Sequence, residues 1–274
     1  MNPQDQLSGE PSETGPDRMG RADLKLGPRV RRLRRMWRTV PSAPRCKMCT
    51  SPFGPPGGPV LRLIGKGRWP GNPKYCAGCF KDLYRSRIGA EIECTLLFAD
   101  IRGSTTLAET MRAADFRSLL DRFYATASDV LIEHEAIVDK FVGDEVIGIF
   151  IPALAGGNHA RQAIDASLDL LRATGNGTDA PWAPIGIGVN TGEAFVGVVG
   201  TADHVEFTAL GDNVNITARL ASAARAGEVL VTRAAANAAE LANASTLELR
   251  TLDLRGRSES TDAYILRLPD RVLP

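Results

Sequence analysis

Two carboxylates and four thiols are the side chains whose placement along this chain points to chemistry. Residues 96–105 read LLFADIRGST, an apolar run that ends in Asp100 and is followed by a Gly103-Ser104-Thr105 turn leading into a helix. Residues 138–150 read VDKFVGDEVIGIF, where Gly143-Asp144 has the composition of a hairpin turn between two β-rich runs. Both Asp100 and Asp144 thus belong at strand ends, and two such carboxylates suit a shared divalent metal. Taken singly, Asp100 reads as a helix cap and Asp144 as a turn former.

The thiols come as Cys46-Lys47-Met48-Cys49 and Cys76-Ala77-Gly78-Cys79. Two C-x-x-C knuckles flanking a Gly- and Pro-rich loop match four-thiolate metal ligation better than disulfides, and Zn²⁺ is the expected ion. The loop is longer than the usual ribbon spacing, which leaves an iron–sulfur cluster open. A segment with so few large apolar residues needs such a staple to fold. Cys94 lies inside an apolar run and reads as a small buried hydrophobe.

Composition bounds what these groups can serve. With 274 residues, 43% hydrophobic content and a net charge of +1, the chain can bury one sizeable core and carry an extra module. The charge is uneven: residues 21–47 hold ten Lys or Arg against the single Asp23, so the remainder is mildly acidic. No run of eighteen apolar residues and no signal-like N-terminus is present, which leads to the expectation of a cytoplasmic protein.

The elements that must position the site follow in order. Residues 1–20 lack periodic apolar positions and are expected to form a disordered tail. In residues 21–44, Val30, Leu33, Met36 and Trp37 recur at helical spacing among arginines. A linker helix docked on the main domain is favoured there over contact with a membrane or nucleic acid. Residues 45–86 form the four-cysteine, zinc-ribbon-like module, and residues 87–270 the main domain. Within that domain the pattern gives a strand over 91–100, an amphipathic helix over 115–131, a hairpin over 138–142 and 145–151, and a helix over 158–173. A strand over 184–190 is expected to turn at Thr191-Gly192 into a second over 193–199. A strand over 205–210, a helix from Asp212 to about residue 224, and strands over 228–232, 246–254 and 262–268 complete the reading. The front half is β-α-β-β-α-β, a ferredoxin-like or palm-type α+β layout with two helices on one face of an antiparallel sheet.

Four segments, LLFADIRGST, DKFVGDEVIGIF, IGIGVNTGEAFVGVVG and FTALGDNVNITARL, stand in an order and at separations that resemble the class III adenylate/guanylate cyclase catalytic domain over residues 91–268. The resemblance implies a head-to-tail homodimer with shared active sites that converts a nucleoside triphosphate to its cyclic 3′,5′-monophosphate and pyrophosphate. It implies that Asp100, Asp144 and the main chain of Ile101 bind two Mg²⁺ or Mn²⁺ ions per site. It also implies that the Arg102, Gly103, Ser104 and Thr105 turn faces the phosphates, that Asn215 orients the ribose, and that Arg219 offsets transition-state charge. Lys140 and Thr208 fall on the base-selecting positions and favour ATP, although many adenylate cyclases carry Asp where Thr208 stands. Ser104 replaces a Phe common in relatives. Guanylate cyclase activity is the nearest alternative. A retired cyclase fold that dimerises a metal-ribbon nucleic-acid-binding regulator is the other, and the full set of six residues argues against it.

Overall fold

The computed structural model describes residues 28–40, 44–63, 67–69, 72–79, 81, 89–200, 205–241, 247–253 and 260–268. The tail expected over 1–20 and the first residues of the basic linker lie outside that set.

The architecture is built on two unusually long strands. Gly89–Ile101 (β3) supplies the apolar run from Cys94 to Ala99, buried on both faces, and it pairs antiparallel along its whole length with Ile185–Gly200 (β6). On the other side β3 pairs antiparallel with Glu145–Phe150 (β5), which pairs with Ile137–Val142 (β4). The order β4-β5-β3-β6, all antiparallel, is the expected ferredoxin-like arrangement. The sheet continues from β6 through a parallel neighbour, Val229–Thr232 (β8), to Thr261–Leu266 (β10) and Leu249–Leu252 (β9). Val205–Leu210 (β7) pairs with the far half of β6.

The turn expected at Thr191-Gly192 does not form. Thr191 pairs with Thr95 and Gly192 with Cys94, so the ladder of β3 carries β6 straight through. A long partner strand outweighs a local glycine signal, because each main-chain group there finds a hydrogen bond without turning.

Along the chain the described helices are Pro28–Arg38 (α1), Gly57–Leu63 (α2), Ser104–Thr110 (α3), Ala113–Glu133 (α4), Pro152–Ala155 (α5), His159–Ala173 (α6), Asp212–Ala223 (α7) and Arg233–Ala238 (α8). Helices α4 and α6 cover one sheet face through Phe123, Ala127, Leu131, Ile164, Leu168 and Leu171. The opposite face is shared between α7 and the cysteine module. Helix α7 lies flush on β6: a Cβ added at Gly188 would come within 2.5 Å of the Ala221 nitrogen and 2.7 Å of the Thr217 oxygen. Asn213 anchors its start by donating to the Gly192 and Cys94 carbonyls and accepting from Asn190.

The module has the expected two-stranded ribbon, Arg68–Trp69 (β1) with Asn72–Cys76 (β2), and its loop also contains α2. Arg34 of α1 is buried and donates to the Ala136 carbonyl at 2.5 Å and the Met48 carbonyl at 2.9 Å. That arginine ties α1 to both module and sheet. Among the described residues, no helix is long and apolar enough to cross a membrane.

Candidate active site

Asp100 stands one residue before the end of β3, and its register partner on β5 is Glu145. Asp144, next to Glu145 in the β4–β5 turn, is therefore carried to the same sheet end. Gly143 makes that turn with φ of 60°, a conformation that costs glycine little. The Tyr124 hydroxyl of α4 donates to the Gly143 carbonyl and fixes the turn from outside, while its ring stacks on Phe141 with centroids 4.4 Å apart.

The two carboxyl groups share a hydrogen bond. Burial, and then Asp144, push Asp100 up to about 7 against the opposing pull of the Arg102 guanidinium. Asp144 moves the other way: burial resists, but hydrogen bonds from Asp100 and Ser104 hold it below its ordinary value. The two carboxyls are close enough to push each other's titration in opposite directions. Asp144 Oδ2 is buried and has no hydrogen-bond partner. A lone buried acceptor beside a second carboxylate is a donor set that fits a hard divalent cation.

Glu145 is a third carboxyl at this end, raised to about 7 by burial and then by Asp144. Sequence reasoning passed over it as a strand residue; its place beside Asp144 in GDE was the available signal. Ile101 ends β3 with its side chain buried. Arg102 is committed within the protomer: its N–H donates to Pro184 O at 2.7 Å, its guanidinium pairs with Asp100, and the same group reaches the Ser222 carbonyl at 3.0 Å. It is therefore not free to face phosphates in the way expected, and only Gly103, Ser104 and Thr105 keep that role open. Gly103 has φ of 73° and precedes α3, whose first-turn N–H groups have no partners within the helix.

Asn215 and Arg219 share one face of α7, away from the inward Asn213, Thr217 and Leu220; Asn215 is exposed and Arg219 half-buried. Neither makes a hydrogen bond to Asp100 or Asp144 within the described protomer. Lys140 keeps about a third of its side chain exposed, at 32%, and its ammonium lies 3.8 Å from Asp139 Oδ2. Thr208 is buried and donates its hydroxyl to the same oxygen at 2.7 Å. Asp139 thus links Lys140 and Thr208, the two positions expected to select the base, a connection the sequence did not reveal.

The second centre is the module. The Sγ atoms of Cys46, Cys49, Cys76 and Cys79 all lie within 4.8 Å of one another, and Cys49 and Cys76 are 3.7 Å apart. A tetrahedral ion with metal–sulfur bonds of about 2.3 Å sets its sulfurs roughly 3.8 Å apart, so the four thiols fit a thiophilic metal. The four thiols perturb one another: hydrogen bonding with Cys46 lowers Cys49 and Cys76, while burial raises Cys46 and hydrogen bonding with Cys46 raises Cys79. Cys94 is fully buried and raised to about 12 by burial, an inert thiol as expected.

The model of the family described as the adenylate and guanylate cyclase catalytic domain matches residues 89–267. An uncharacterized protein of Mycobacterium tuberculosis is 33% identical over 181 residues, covering 64% of this chain and 33% of that protein. The terminal-differentiation-specific adenylate cyclase of Dictyostelium discoideum is 33% identical over 129 residues, covering 46% of this chain and 6% of its own. This chain therefore spans no more than about a third of the length of these relatives. Among solved structures, the adenylyl cyclase CyaB from P. aeruginosa has a TM-score of 0.57 at 27% identity, covering 68% of this chain and 100% of that one. The guanylyl cyclase Cya2 has a TM-score of 0.56 at 24% identity, covering 65% of this chain and 92% of that one, and speaks to the fold alone. With the carboxylate pair, the ferredoxin-like order and the matched segment in agreement, the chain belongs to the class III adenylate and guanylate cyclase catalytic domain family.

Proposed function

We propose that this chain is an adenylate cyclase, closing ATP to 3′,5′-cyclic AMP with release of pyrophosphate in a cleft shared by two copies of the chain. The observation that carries the reading is the Asp100–Asp144 pair with its unpartnered buried oxygen, because a protein keeps such a costly arrangement where a cation is to be held. Asp100, Asp144 and the Ile101 main chain would hold two Mg²⁺ or Mn²⁺ ions. Those ions, when bound, lower the pKa of the ribose 3′-hydroxyl and offset the triphosphate charge.

The remaining work belongs to side chains and main chain. The 3′-oxygen forms a bond to the α-phosphorus as the bond to the β-phosphate bridging oxygen breaks, so pyrophosphate leaves with the electron pair and the hydroxyl proton passes to solvent. Gly103, Ser104 and Thr105 offer N–H groups to the phosphates at the start of α3. Asn215 holds the ribose, and Arg219 meets charge that grows on the phosphoryl oxygens in the transition state. Lys140 donates to N1 of adenine and Thr208 accepts from the exocyclic amine, which supports ATP over GTP. Asn215 and Arg219 stand free of the carboxylates in their own protomer, as expected of residues that complete a partner's cleft. The four thiols, which a reducing cytoplasm would keep available as ligands, would take Zn²⁺.

Purified protein supplied with ATP or GTP and Mn²⁺ tests the reading: cyclic AMP as the main product is expected, and cyclic GTP-derived product in excess, or none of either, overturns it. Mixing an Asp100→Ala chain with an Arg219→Ala chain tests the shared cleft. Each alone is expected to be nearly inactive and the mixture to recover one working cleft per heterodimer; no recovery refutes the dimer.

A further inference from the structure

The cysteine module reaches into the base-reading end of the catalytic domain through one side chain. Lys47, between the metal-ligand candidates Cys46 and Cys49, places its ammonium 2.6 Å from Asp139 Oδ1 and 2.6 Å from the Phe207 carbonyl. Both charged groups are almost wholly buried, with 3% and 2% of their side chains exposed. The other carboxylate oxygen, Oδ2, accepts from Thr208. Tyr75, next to Cys76, accepts the Phe207 N–H at 2.9 Å. Module residues thus occupy both main-chain groups of Phe207 along the edge of β7 that β6 leaves unpaired.

Three consequences follow from the chemistry of these contacts. Thr208 gives its single hydroxyl hydrogen to Asp139, so only lone pairs remain to face a ligand, which suits an amine and rejects a carbonyl. Asp139 Oδ1 is a second acceptor on the same carboxylate, one strand over from Thr208. A base that touches both Lys140 and Thr208 must lie between β4 and β7, yet Lys47 already fills that gap and Thr208 is only 5% exposed. Lys47, Asp139 and Lys140 also border one cavity of about 580 Å³, which runs between β4 and α4 past Tyr124 and Phe141 and does not include Thr208. That volume lies within the range of small-molecule sites.

We propose that Asp139 is a third base-reading residue, an acceptor for the exocyclic amine of the nucleotide, and that Lys47 of the cysteine module competes with the base for it. With the module seated, the ammonium holds the acceptor and nucleotide is kept out; when the knuckle moves, Asp139 and Thr208 together present acceptors to an amine. The position of Lys47 is set by cysteines on either side of it, so the state of the four-thiol centre governs the competition. This rests on the cyclase reading for the location of the base, but not on turnover.

The test uses the full chain and a fluorescent ATP analogue whose binding is followed without catalysis, beside steady-state kinetics with ATP and GTP. Lys47→Met is expected to tighten analogue binding by about tenfold or more, since a pocket closed nine-tenths of the time weakens apparent affinity by that factor. Lys47→Arg should bind as the natural chain does. Asp139→Asn is expected to cut the ATP-to-GTP ratio of kcat/KM by about tenfold with a smaller change in kcat, the loss of one amine acceptor. Should Asp139→Asn fail to fold with Lys47 unpaired, the Lys47→Met/Asp139→Asn double variant reads the same ratio with both charges gone. Unchanged or weaker analogue binding by Lys47→Met overturns the competition, and an unchanged ATP-to-GTP ratio overturns base reading by Asp139. Binding of the analogue without turnover in any variant would count against the cyclase reading and leave the competition measurable.

Discussion

The two ends of the proposed cleft are in opposite states. At the carboxylate end, Asp100 and Asp144 crowd each other around a buried oxygen with no partner. At the base end, Asp139 has both oxygens occupied, by Lys47 and by Thr208, and all three residues are buried. One end is built to receive something and the other is already filled from within the chain. A site assembled for catalysis gives up stability where the ligand must bind, and a site held closed recovers it from a surrogate.

The sharpest way to break this contrast is to remove Asp144. Asp144→Ala is expected to lower cyclase turnover by about a thousandfold or more, several kcal/mol of transition-state stabilisation. The same change should leave the melting temperature unchanged or raise it, since it relieves a crowded carboxyl pair. A large loss of melting temperature would mean that the pair is structural.

At the other end the signs reverse. Asp139→Ala leaves the buried Lys47 ammonium without its counter-charge and should destabilise the chain by about 3–5 kcal/mol in urea denaturation. Replacing Lys47 by Met as well should restore most of that loss. If Asp139→Ala is as stable as the natural chain, the base end is not closed in solution.

Arg219→Ala separates binding from chemistry. It is expected to lower kcat by about a hundredfold with KM changed little, because its contact strengthens in the transition state. Equal losses in kcat and in nucleotide binding would contradict that role.

The smallest effect concerns a charged cluster outside the cleft. Burial alone would raise Glu228, but hydrogen bonds from Arg250, the Arg225 N–H and Arg267 outweigh it and hold the carboxyl at about 2, down from 4.5. A carboxyl whose pKa is depressed on folding contributes stability above its unfolded value, here 4.5, and loses it as pH falls toward 2. Glu228→Gln should flatten the acid limb of the stability curve over that window while leaving nucleotide selectivity untouched. A change in selectivity would show that the cluster is coupled to the cleft.

Much of this could be read from the chain before its structure. Asp100 and Asp144 were legible because strand-end and hairpin signals are local, and the four thiols because their spacing is. The hairpin over 138–151 and the helix from Asp212 fell close to where periodicity put them. What escaped depended on contacts between distant segments. The Thr191-Gly192 pair reads as a turn only when the matching ladder from Cys94 and Thr95 is out of view. Lys47 looks like any filler between knuckle cysteines, and its partner Asp139 lies 92 residues away. Asp139 alternates in step with the buried Ile137, but an acidic side chain at such a position reads as solvent-facing until its partner is known. Arg102 was misplaced for a similar reason, since its N–H partner, Pro184, is on another strand's approach.

The close seating of α7 on Gly188 has a further meaning for anyone who would re-engineer this domain. With Ala221 nitrogen 2.5 Å from where a methyl group would sit, residue 188 acts as a depth stop for the helix that bears Asn215 and Arg219. A single added carbon would lift that helix and shift the arginine's reach. A remote, chemically silent position would then act as a tuning screw on rate, and libraries aimed only at polar residues would miss it.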